Sequence, residues 1–175
     1  MVTGRVGPAG YGAYLSQLLH VHEALDHAAH SLAGRSVSFA RVWRSWHARA
    51  AHARADLATL GMQPQPPSAS TARFVEHIDL LAARGSVALL GVLYVLEGST
   101  NGGVFIARAL RRALPAGMGT TYLDPHGELQ GRRWAEFKQC TDALTLSAGE
   151  QDLIVQEARA TFIAIEGIFE ELPGA

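Results

Sequence analysis

The sequence has 175 residues, 48% of them hydrophobic and 18% charged, which fits one folded domain spanning 1–175 around a single core and excludes long-range disorder. A formal net charge of -1 gives no overall attraction for nucleic acid or an anionic membrane, and the lone cysteine, Cys140, excludes an internal disulfide and a cysteine-built metal site. No uninterrupted apolar run reaches the ~18 to 20 residues of a membrane span, and the opening MVTGRVGPAGYG lacks the apolar stretch of a secretory signal, so a cytoplasmic location is expected.

Leu15, Leu18, Leu19, Leu25 and Leu32 recur at helical spacing and predict a first amphipathic helix entered through Pro8. The spacing of Phe39, Val42, Trp43, Trp46, Ala50, Ala53, Leu57 and Leu60 predicts one second helix from about Ser38 to Leu60, stopped by Gly61. QPQPPSAS, Gln63 to Ser70, reads as a loop, because its prolines remove donors and fix backbone angles. A short helix over Ala72 to Ala83 follows, then a long apolar segment from Val87 to Leu114 and a turn-rich stretch from Pro115 to Gly127. A helix over Leu129 to Leu144 carries Trp134 and Phe137 on one side. Ser147, with Glu150 three residues on, forms a capping box that opens the last helix. With no strand alternation, the architecture is an all-α bundle of six or seven helices. The arginines at 108, 111, 112, 132 and 133 read as solvated helix faces, and Lys138 is the sole lysine.

Gly98, Gly102 and Gly103 fall inside the long apolar segment, where each glycine costs roughly 1 kcal/mol relative to alanine. Gly98 and Gly102 share one helix face, so a flat partner can approach the backbone there closely. From spacing alone the partner is another helix or a ligand, and helix packing is the commoner explanation.

The residues around the glycines, LYVLEGSTNGGVFIARAL from Leu93 to Leu110, resemble the distal-helix motif of heme oxygenases, especially the bacterial ones that make biliverdin. QEARATFIAIEGIFEEL, from Gln156 to Leu172, is similar to that family's final helix, and WAEFKQ, from Trp134 to Gln139, to the helix before it. The start, TGRVGPAGYGAYLSQLLHVHEAL, is similar to the family's second segment, so the resemblance spans nearly the whole chain. It implies a heme oxygenase-like bundle in which heme is both substrate and cofactor, with iron held only within heme. The reaction implied is oxygen-dependent cleavage to biliverdin, carbon monoxide and ferrous iron, with electrons from a ferredoxin, a flavodoxin or a reductase. On the resemblance Gly98 and Gly102 are the distal backbone contacts and Gly103 lines the bend. Ser99 falls where animal members have a carboxylate that organises distal water. Lys138 matches a residue that pairs with a heme propionate, while Asp142, one turn later, departs from the pattern. Phe162 and Phe169 match pocket-walling aromatics, although plain core packing gives the same spacing.

The family's axial histidine belongs to a first helix upstream of where this sequence begins, and no histidine here lies in a segment resembling it. The resemblance therefore leaves two expectations. One is a heme oxygenase whose activity in this chain is in question. The other is a non-catalytic heme or tetrapyrrole binder, or a module that takes a protein partner in the vacated proximal groove. Carboxylate-histidine iron chemistry is set aside, because the chain holds no Glu-x-x-His pair.

Overall fold

The computed structural model describes residues 7–113 and 119–173, and all regular structure in them is helical. Seven α-helices follow in order: α1 (Pro8–Ala33), α2 (Val37–Val42), α3 (Ala50–Thr59), α4 (Ala69–Ala83), α5 (Leu89–Ala113), α6 (Gln130–Asp142) and α7 (Ala148–Glu170). α1 is the central element, packed on α3 and α4, while α5 packs along α7. Leu15, Leu19, Leu25 and Leu32 of α1 are buried with Phe39, Leu57, Ile78 and Leu89 in one core cluster. The predicted Leu stripe is thus the core face of α1. Residues 114–118 of the predicted turn-rich stretch lie outside the described residues.

The single helix predicted over Ser38 to Leu60 is two helices. Between α2 and α3 the chain is extended at Trp43 and Arg44, makes one 3₁₀ turn over Ser45–His47, and is extended again at Ala48. The apolar spacing is compatible with continuous helix, but tertiary hydrogen bonds favour the break. Arg49, 2% exposed, sends its guanidinium inward to donate to the carbonyls of Leu96 and Tyr122. The Ala50 amide at the new helix start donates to Asp26 Oδ2 at 3.0 Å, and the Arg44 amide donates to His47 Nδ1 at 3.0 Å.

The other punctuation follows the sequence. At Gly61, φ is 66°, and the Met62 and Gly61 amides return to the Leu57 and Ala58 carbonyls, a Schellman ending for α3. α4 starts three residues earlier than predicted because Ser68 caps it, its hydroxyl accepting from the Thr71 amide. The proline-rich loop is tied to α1 by Gln17, which donates to the Pro66 carbonyl and accepts from the Ser68 amide. The Ser147 and Glu150 capping box opens α7 as predicted.

α5 is long and apolar enough to cross a membrane by length and composition, although Glu97 and Asn101 interrupt its apolar run. Of its most apolar window 56% is buried inside this fold.

Candidate functional site

α5 carries additional side-chain hydrogen bonds at the predicted glycine segment. Ser99, Thr100 and Asn101 each donate a side-chain hydrogen bond to the carbonyl three residues back, those of Leu96, Glu97 and Gly98, at 2.6, 2.6 and 3.1 Å. Such back-bonding competes with the helix ladder and favours a local bend. The Leu96 carbonyl also accepts from Arg49 at 2.9 Å. α5 is nonetheless one continuous α-helix from Leu89 to Ala113, and these three short polar residues and an external guanidinium add bonds to its carbonyls beside the glycines.

The glycines there have different surroundings. A Cβ at Gly103 would collide with the backbone carbonyl of Leu123, so this glycine admits the loop that follows α5. A Cβ at Gly98 would rest 3.4 Å from the Trp134 indole, in ordinary contact, and one at Gly102 would meet nothing within 4 Å. Close helix packing occurs instead at Gly91, where a Cβ would collide with the Ile154 carbonyl of α7. The helix-packing explanation therefore applies to Gly91, while Gly98 lies against the Trp134 indole and Gly102 leaves backbone open at the surface.

Both α5 and α7 carry exposed apolar side chains. Tyr94 and Phe105, on the same stripe of α5, are 43% and 70% exposed. Phe162 and Phe169 of α7 are 63% and 44% exposed, so neither is a core residue as plain packing would require. Phe169 stacks on Tyr14 of α1 at 5.2 Å, and Tyr14 in turn meets Tyr122 edge-on at 6.0 Å. Lys138 is exposed and its ammonium lies 5.7 Å from the Trp134 ring centroid, so Gly98, Trp134 and Lys138 form one contiguous patch. The Ser99 hydroxyl is committed as a donor to Leu96, which leaves its lone pairs free to accept.

Behind this surface lies a buried polar layer not anticipated from the sequence. Asp56 accepts from the Tyr11 hydroxyl, the Thr121 amide and hydroxyl and the Tyr122 amide, fixing the loop that returns beneath α5. Arg49 stacks 4.3 Å from the Tyr122 ring centroid, and the Tyr122 hydroxyl meets His22 Nε2 at 3.0 Å. Burial, reinforced by Arg49, pushes His22 well below the usual imidazole range. Burial likewise lowers His47 to about 4 and raises Asp26 to about 6. Buried atoms without a protein partner include His22 Nδ1, Asp26 Oδ1 and Arg49 Nε, polar groups of the kind that internal water satisfies in folded proteins. The one signal in the sequence for this layer was Glu97, the sole charge in an otherwise uncharged run from Val87 to Asn101. Its side chain is 1% exposed and faces His126.

The histidines occupy other places. His22, His47 and His126 are buried, His77 pairs with Glu157 at 2.6 Å, and His20 meets the Gln65 carbonyl. None lies on α5, α6 or α7. Among the described residues no group of histidine, cysteine and carboxylate side chains is placed to hold a metal ion. Arg108, Arg111 and Arg112 are exposed, in keeping with a solvated face, and Arg111 pairs with Asp124 at 2.9 Å. Arg133 departs from that reading, since it turns inward onto His126.

The fold and surface together define an all-helical protein with an apolar face on the glycine-containing helix α5, open at Gly102. The family model described as heme oxygenase matches residues 1–171, and the chain belongs to the heme oxygenase family. Its fold is similar to that of the heme oxygenase from Leptospira interrogans, with a TM-score of 0.86 at 22% identity over 97% of this chain and 86% of that one. It is also similar to heme oxygenase-1 from the cyanobacterium Synechocystis in complex with heme (TM-score 0.86, 19% identity, 98% and 80% coverage). Heme oxygenase-2 from Synechocystis, in complex with heme and NO, gives a TM-score of 0.85 at 19% identity, covering 95% of this chain and 72% of that one. No curated protein is significantly similar in sequence.

Proposed function

We propose that this protein binds heme on the open face of α5 and catalyses its oxygen-dependent cleavage to biliverdin, carbon monoxide and ferrous iron. The observation that carries the reading is Gly102, where a helix backbone stands at the surface with no atom within 4 Å of a would-be Cβ. A flat macrocycle needs such a floor, and a Cβ there would hold it off the backbone.

Heme, when bound, supplies the iron at which oxygen is activated and the ring that is opened. The chain's own residues bind and orient. Gly98 and Gly102 form the distal floor, Gly103 lets the returning loop support the bend, and Phe162 and Phe169 wall the apolar side and exclude water. Lys138 receives a propionate. Ser99 Oγ accepts a hydrogen bond from distal water, and the buried layer beneath it anchors further water. Electrons come from a ferredoxin, flavodoxin or reductase, and the reaction is placed in the cytoplasm. No described histidine on α5, α6 or α7 offers an axial nitrogen, so the residue that ligates iron is left unassigned.

The exposure of Phe162 at 63% and of Ile163 at 70% favours a second reading, a non-catalytic module of the same fold that holds a tetrapyrrole or a protein partner on its apolar face. Titration of the purified chain with ferric heme, followed by ascorbate or a reductase in air, separates the two. A sharp Soret band that decays to biliverdin absorption supports the enzyme, and binding without decay supports the module. Absence of binding overturns both heme readings. Lys138→Ala is expected to weaken heme affinity about threefold to tenfold, since an exposed ion pair is partly screened. Unchanged affinity removes Lys138 from the propionate site.

A further inference from the structure

Glu97 stands immediately before Gly98, and its carboxylate is sealed from solvent. Its Oε1 lies 3.3 Å from His126 Nε2, and His126 Nδ1 faces the guanidinium of Arg133 near the start of α6. Arginine can only donate. His126 Nδ1 therefore accepts, the ring proton sits on Nε2, and Nε2–H donates to Glu97. Through Nδ1 and Nε2 the ring links the guanidinium of Arg133 to a buried carboxylate that has no other ion-pair partner among the described residues. Arg133 is itself held with its guanidinium 5.2 Å from the Trp46 ring centroid.

The same end of α6 grips α5 a second time. Gln130 donates to Thr100 Oγ1 and Asn101 Oδ1, just beyond Ser99. Gly98 and Ser99 are thus bracketed by His126 at Glu97 and Gln130 at Thr100, with Arg49 holding the Leu96 carbonyl. Removing a partner from a buried, hydrogen-bonded charge is severe, because the remaining charge must move toward water or neutralise. Sealed as it is, the Glu97 side chain can reach water only by displacing its packed neighbours, and the next residue along the helix is Gly98.

We propose that His126 is a positioning residue: with Arg133 it clamps Glu97 and so sets the surface that Gly98 and Ser99 present to a ligand. The proposal rests on the reading that this surface receives heme. It requires one tautomer of His126 and tolerance of any side chain that both accepts from Arg133 and donates to Glu97. Glutamine does so through its amide, and leucine does not.

Two measurements test it. In the ligand-free protein, ¹⁵N-edited NMR of the imidazole is expected to show His126 protonated at Nε2 and unprotonated at Nδ1, and a proton on Nδ1 overturns that linkage. In heme titrations, H126L is expected to lose affinity by about tenfold or more while H126Q stays within about threefold of the parent. The double variant E97Q/H126L is expected to recover part of the loss, because the buried charge is gone. Equal affinity of H126L and the parent, or H126Q as weak as H126L, overturns the proposal. If the parent chain binds no heme, the proposed function fails on its own and the clamp is judged by amide exchange. Faster exchange across Gly98–Gly103 in H126L than in H126Q then supports it, and equal exchange overturns it.

Discussion

Adding a methyl group at Gly102 meets no atom within 4 Å, whereas at the next residue it runs into the Leu123 carbonyl. Opposite consequences follow. Gly102→Ala is expected to stabilise the ligand-free protein by roughly 1 kcal/mol, the helix-propensity difference. Gly103→Ala is expected to destabilise it by about 1 to 3 kcal/mol, because backbone must give way. Urea unfolding of the two variants checks both, and a loss of stability in Gly102→Ala would show that this face of α5 is not open. Gly102→Leu is expected to keep the helical fold and abolish heme binding, which separates a glycine kept for a ligand from one kept for packing. All three glycines were conspicuous in the sequence, but their roles were not. Spacing places Gly98 and Gly102 on one face and is silent on whether a loop or solvent lies opposite.

The broken second helix shows how far local pattern extends. Its apolar residues keep helical spacing through Trp43 and Trp46, yet Arg49 draws the chain inward to reach carbonyls of α5 and of the loop at Tyr122, 47 and 73 residues away. No periodicity encodes that. Arg49→Met is expected to destabilise the protein by roughly 2 to 5 kcal/mol, since two buried carbonyls lose their donor. It is also expected to loosen α5 at Leu96, seen as faster amide exchange there. Exchange unchanged at Leu96 would mean that Arg49 does not hold this part of α5. The helix ends, in contrast, were legible. Pro8, Gly61 and the Ser147 and Glu150 box act within a few residues of chain, where sequence and structure carry the same information.

Across the whole molecule, the buried imidazoles set the response to acid. His22 and His47 have folded-state values below 6.5, so between those values and 6.5 the unfolded chain binds more protons and stability falls as pH falls. Asp26 acts in the opposite sense. Raised to about 6, it takes up a proton in the folded state that the unfolded chain lacks until near 4, so its contribution improves as pH falls through 6. Two imidazoles outweigh one carboxyl, and the unfolding free energy is expected to decline from pH 6.5 to about 4. The His47 share is on the order of 3 kcal/mol. Denaturant titrations across that range check it, and a flat profile would mean that the imidazoles are not buried as neutral groups.

By itself the sequence determined the helical class, the loops at proline and glycine, the core stripe of α1 and the family, since each depends on residues near one another or on a motif read as a string. The tertiary structure alone decided that Gly102 faces open space and Gly98 the Trp134 ring, while Gly91 and Gly103 face backbone. It also brought Asp56, Arg49, His126 and Glu97 together behind the glycine segment of α5. Those residues are separated by tens of positions, and the low dielectric that gives their charges and hydrogen bonds such weight exists only once the chain has folded around them.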